Sequence, residues 1–74
     1  MHKYIYKNEV IVKIGNNVRK RRIRLGWTMM DLAFEAGIDY RQLGRIERGE
    51  HNFKIISLVR ITDALGCNLK DIIK

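Results

Sequence analysis

Residues 28–49 read Thr28-Met29-Met30-Asp31-Leu32-Ala33-Phe34-Glu35-Ala36-Gly37-Ile38-Asp39-Tyr40-Arg41-Gln42-Leu43-Gly44-Arg45-Ile46-Glu47-Arg48-Gly49, and this stretch decides the fold. Thr28 followed three residues later by Asp31 has the form of a capping box, which opens a helix by satisfying its first free amides. Leu32, Ala33 and Ala36 then fall on one helical face, and Gly37 supplies a stop. Asp39 caps a second short helix over Tyr40 to Arg48, with Leu43 and Ile46 turned inward beside Ile38, and Gly49 ends it. Only Gly37, Ile38 and Asp39 lie between the two helices.

Two short helices joined by a three-residue turn that starts with glycine have the geometry of a helix-turn-helix, whose second member enters the major groove of duplex DNA. Working outward, Ile14, Val18 and Leu25 recur at helical spacing among basic residues, and Gly26 stops this first helix. On the C-terminal side, residues 50–54 read as polar loop. Ile55, Leu58, Val59, Ile61, Ala64 and Leu65 then repeat at helical spacing up to Gly66, and Asn68 caps a last turn from Leu69 to Ile73. The expectation is an all-α, compact five-helix domain over residues 14–74.

Residues 1–13 are read as a short extended arm. They hold two β-branched and aromatic clusters, Tyr4-Ile5-Tyr6 and Val10-Ile11-Val12, that fit a hairpin, an edge strand or an ordered arm. Residues 9–14 also suit an early start of the first helix, and the sequence leaves both readings open.

Fifteen Lys and Arg against eight Asp and Glu give a formal charge of +7 in 74 residues. Such an excess points to a polyanionic partner. The longest uninterrupted apolar runs are three residues, Val10 to Val12 among them, which excludes a span of roughly 20 residues through a bilayer. Cys67, the single cysteine, has no partner for an intramolecular disulfide, and no signal segment opens the sequence. The cytoplasm is therefore the expected compartment. His2 and His51 have no ligand cluster at metal spacing, and no cofactor is expected. No nucleophile-base pair, paired-carboxylate set or phosphate loop is evident, so an enzyme is not expected.

With these landmarks in order (Arg22, Leu32-Ala33, Gly37-Ile38, Ile46-Glu47-Arg48-Gly49, Ala64-Leu65-Gly66), residues 14–73 closely resemble the phage repressor and Cro family, also called the XRE family. The resemblance implies a DNA-binding transcription regulator. It implies an ion pair between Arg22 and Glu47, tying the first helix to the end of the reading helix. It places base contacts at Tyr40, Arg41 and Arg45, with Gln42 flanking. Spacing alone supports this face: with Leu43, Ile46 and Glu47 committed to packing, the outward positions are Tyr40, Arg41, Gly44, Arg45 and Arg48. Arginine can donate two hydrogen bonds to guanine N7 and O6, which singles out Arg41 and Arg45. The bland alternative is a solvated basic face.

Phosphate contacts are expected from Arg19 and Arg24, from the start of the second helix at Thr28 and Met29, from Arg48, and from Asn52 and Lys54. Departures from the family occur at Met29, where glutamine is usual, and at Phe53-Lys54, which predicts an irregular start to the fourth helix. Trp27, Leu25 and Cys67 are expected in the core.

One such domain makes few base contacts, so a homodimer on a palindromic operator is expected, with its surface around Leu69, Ile72 and Ile73. This one-domain format is similar to that of restriction-modification controller proteins. Met30 and Phe34 place apolar side chains on a face that relatives make polar. The favoured reading covers them with the N-terminal arm. The other makes them a protein-binding surface, as in an antitoxin that also binds DNA for autoregulation.

Overall fold

The computed structural model describes residues 9–50 and 53–74. Five helices follow one another: α1 (Glu9–Arg24), α2 (Met29–Ala36), α3 (Tyr40–Glu47), α4 (Ile55–Leu65) and α5 (Leu69–Ile73). No strand occurs among the described residues.

The early-start reading of the first helix is the correct one. Residues 9–13, assigned above to an extended arm, form the first turns of α1. The physical reason is periodic: Ile11, Ile14, Gly15 and Val18 lie on one helical stripe, and all four are half-buried or buried. Residues 1–8, including Tyr4-Ile5-Tyr6, lie outside the described residues.

Both short helices are capped as the sequence requires. Thr28 Oγ1 accepts from the Asp31 amide at 3.1 Å, and the Asp31 carboxylate accepts from the Thr28 amide at 2.8 Å. Gly37 takes the left-handed conformation (φ 68°) that ends α2, and a side chain there would be strained. Asp39 accepts from the Arg41 amide at 2.6 Å to open α3. The fourth helix starts at Ile55, and the irregularity expected there is limited to its cap. Lys54 takes the extended cap conformation without a side-chain cap bond, and neighbouring Phe53 packs against the core.

The core gathers Ile14, Val18, Leu32, Leu43, Ile46, Leu58, Ile61 and Ile72, with α1 packed on α3 and α5, and α2 packed on α3 and α4. Ile72 is fully buried in this core, so it has no surface to offer a second subunit, and its expected place in a dimer interface is withdrawn. Asn17 fastens α5 to α1 by donating to the Ile72 and Lys74 carbonyls, each at 2.9 Å. Trp27 and Cys67 are half-buried against the core, and burial pushes the Cys67 thiol pKa up. Leu25 does not join them. It is 49% exposed because the chain turns at Gly26 and carries it to the outside of the corner.

Candidate nucleic-acid interface

The interface is built on α3, and α3 is built on α1. Arg22 Nε donates to Glu47 Oε2 at 2.8 Å, Nη2 donates to Glu47 Oε1 at 3.0 Å, and Nη1 donates to the Trp27 carbonyl at 2.8 Å. One guanidinium therefore holds the last turn of α3 and the corner after α1 together. The two side chains are 11% and 5% exposed, and the bond to Glu47 raises the Arg22 pKa above its ordinary value, against the opposing pull of burial.

A second contact at the same end was not foreseen from the sequence. Gly15 on α1 sits so close to the end of α3 that a Cβ there would overlap the Ile46 carbonyl oxygen and lie 2.9 Å from that of Glu47. Gly49 is equally confined: φ is 77°, and a Cβ would meet Val12 Cγ2 at 2.9 Å. The signal available for Gly15 was a glycine in a helix interior, where its propensity cost of about 1 kcal/mol needs a compensating close approach.

With its inner side fixed in this way, α3 turns Tyr40, Arg41 and Arg45 outward, all exposed. Arg41 and Arg45 are four residues apart and so share one face. Arg48, just beyond the helix, is exposed and its Nε donates to Glu50 at 2.8 Å. One expected outward position, Gly44, and the expected flanking contact, Gln42, are placed otherwise. Gly44 is buried: a Cβ on it would stand 3.0 Å from Arg48 Nη1 and 3.3 Å from the Met29 methyl, so both side chains lean over it. Gln42 is half-buried, and its Nε2 donates to Ser57 Oγ at 2.9 Å, directing it to α4. Ser57 is a neighbour of the candidate site that the sequence did not reveal, because the contact depends on how α4 is placed.

Of the expected phosphate ligands, Arg19, Arg24, Thr28 and Lys54 are exposed. The Thr28 amide is engaged by the Asp31 carboxylate, which removes it as a donor to phosphate in this arrangement. Met29 is half-buried with its side chain against the core, an apolar stand-in for the family's glutamine. Asn52 lies outside the described residues. Among the described residues no group of three or more His, Cys, Asp or Glu is placed to hold a metal ion, and no helix is long and apolar enough to cross a membrane.

Comparison with known proteins agrees with this geometry. A family profile described as helix-turn-helix matches residues 18–72. No curated protein matches the sequence. Among solved structures, the restriction-modification controller protein C.AhdI from Aeromonas hydrophila is similar, with 29% identity and a TM-score of 0.79 over 84% of this chain and 94% of that one. C.Esp1396I, a controller protein whose structure was solved bound to a 25 base pair operator site, is 27% identical with a TM-score of 0.78, over 89% of this chain and 87% of that one. The clp gene regulator ClgR from C. glutamicum shares the fold at 23% identity, with a TM-score of 0.81 over 95% of this chain and 90% of that one. With the helix-turn-helix profile covering most of its length and α3 held by the Arg22–Glu47 pair, the chain belongs to the XRE-type helix-turn-helix family of DNA-binding transcription regulators.

Proposed function

We propose that the protein is a sequence-specific regulator that inserts α3 into the major groove of duplex DNA, acting as a homodimer on a palindromic operator. The observation that carries this reading is the ridge of Arg41 and Arg45 on the outer face of a helix whose inner face is locked to the domain. Arg41 and Arg45 read guanine edges, and Tyr40 contacts the groove beside them. Arg19, Arg24, Arg48, Lys54, Asn52 and the start of α2 at Met29 meet phosphates, which fixes register without selecting sequence. The operator-bound C.Esp1396I structure is a precedent for DNA as the ligand. The cytoplasm, where a chromosome is reached, is the matching compartment.

Dimerisation uses α5 without Ile72. Ile73 is 44% exposed and Leu69 is half-buried, leaving an apolar edge at the end of the fold. Two copies on half-sites about 34 Å apart would double the base contacts.

Selection of bound duplexes from a random pool tests the proposal: a palindromic consensus is expected. On that consensus, Arg41→Ala and Arg45→Ala should each cost about 1 to 3 kcal/mol of binding and change nonspecific binding far less. Equal losses on specific and random duplexes would reassign both arginines to phosphate. Sedimentation that finds only monomer, free and on DNA, would remove the dimer.

One observation favours a second reading, an antitoxin-type module whose DNA binding is autoregulatory. Phe34 is 84% exposed and Met30 66% exposed on the outer face of α2, an apolar pair of the kind that marks protein contact. A stoichiometric protein that copurifies from the native host, and is lost on Phe34→Ser, would favour it.

A further inference from the structure

Gln42 stands between Arg41 and Leu43 in the first turn of α3, where a polar side chain would be taken for a base reader. Its amide is committed elsewhere: Nε2 donates to Ser57 Oγ at 2.9 Å, and Ser57, in the first turn of α4, is only 5% exposed. A glutamine that reads adenine uses both ends of its carboxamide on the N6 and N7 edge. Holding Ser57 turns one of those ends away from the groove.

The frame around α3 gives this bond a purpose. Gly15 and Glu47 fix the C-terminal end of α3 against α1, and α3 packs mainly on α1 and α2 and little on α4. The N-terminal half, which carries Tyr40 and Arg41, is held by the Leu43 side chain in the core, a contact that is non-directional. The Gln42–Ser57 bond is directional and crosses to α4.

We infer that Gln42 is a positioning residue: through Ser57 it sets the roll of the N-terminal half of α3, and with it the aim of Arg41. This rests on the reading of α3 as the DNA-reading helix. The clasp acts on specificity through Arg41, and Gln42 itself touches no base.

A double-mutant cycle on the selected duplex tests it, using the full chain with Gln42→Ala, Ser57→Ala and the double variant, each checked for folding by thermal unfolding. Each single change is expected to lower affinity for the selected site about fivefold, the scale of one neutral hydrogen bond, and to leave nonspecific affinity unchanged. The double variant should lose no more than either single one. Base preference should loosen at the pair read by Arg41 and hold at the pair read by Arg45, and Ser57→Thr, which keeps the hydroxyl, should restore affinity. If Gln42→Ala loses as much in the Ser57→Ala background as alone, with preference relaxed at one new base pair, Gln42 reads DNA directly and the clasp is refuted. Unchanged affinity in both single variants refutes it equally. A wild-type chain that selects no sequence instead overturns the reading of α3 itself, and the two failures are distinct.

Discussion

The two ends of α3 are secured by different physics. Its C-terminal end is wedged: Gly15 brings α1 against the Ile46 and Glu47 carbonyls, and the Arg22–Glu47 pair closes over the contact with both side chains largely removed from water. Its N-terminal end is tethered: Asp39 caps the first turn from an exposed position, and Gln42 reaches to Ser57. A wedge tolerates neither added atoms nor an unpaired charge, whereas water can replace the exposed Asp39 cap and leaves the Gln42–Ser57 bond as the directional part of the tether. The C-terminal end is therefore held by shape and charge, and the end proposed to face DNA by single hydrogen bonds.

The contrast would be broken most severely at Glu47. Glu47→Ala strands the Arg22 guanidinium in a site that is almost closed to solvent, and should cost about 3 to 5 kcal/mol, a large share of the stability of so small a domain. Urea unfolding measures it, and a loss below about 1 kcal/mol would class the pair with surface salt bridges. Gly15→Ala comes next. Alanine gains about 1 kcal/mol of helix propensity, yet its Cβ has no room, so a net loss of about 1 to 3 kcal/mol is expected. A stabilised Gly15→Ala protein would show that the helices are less closely apposed than described. At the tethered end, Asp39→Ala should cost about 1 kcal/mol, lowering Tm by about 4 to 8 °C. A larger fall there than at Gly15 would reverse the comparison.

Much of this frame was legible in the sequence because it rests on local chemistry. Thr28 with Asp31, Gly37, Asp39 and Gly66 mark helix ends within a few residues of themselves, and the helices begin and end where those marks stand. The Arg22–Glu47 pair was foreseen only through resemblance, since 25 residues separate the partners and nothing in their spacing brings them together. What escaped was tertiary. Ile72 and Leu25 have the same apolar character, and only the placement of α5 against α1 and the turn at Gly26 decide that one is core and the other surface. Gln42 was placed beside the base contacts through resemblance, and its bond to Ser57 gave no local sign, because it depends on how α4 is placed. The Val10-Ile11-Val12 cluster suits strand by composition, but the apolar spacing from Ile11 to Val18 outweighs that preference.

The notch at Gly15 has a consequence for how such a protein could be given a new address. It meets α3 through main-chain oxygens of Ile46 and Glu47, so the fit of α1 does not depend on which side chains occupy the outer face. On the proposed reading, Tyr40, Arg41 and Arg45 could be exchanged together for the corresponding residues of another regulator while Gly15, Arg22 and Glu47 stay in place. The socket would hold a different key at the same depth.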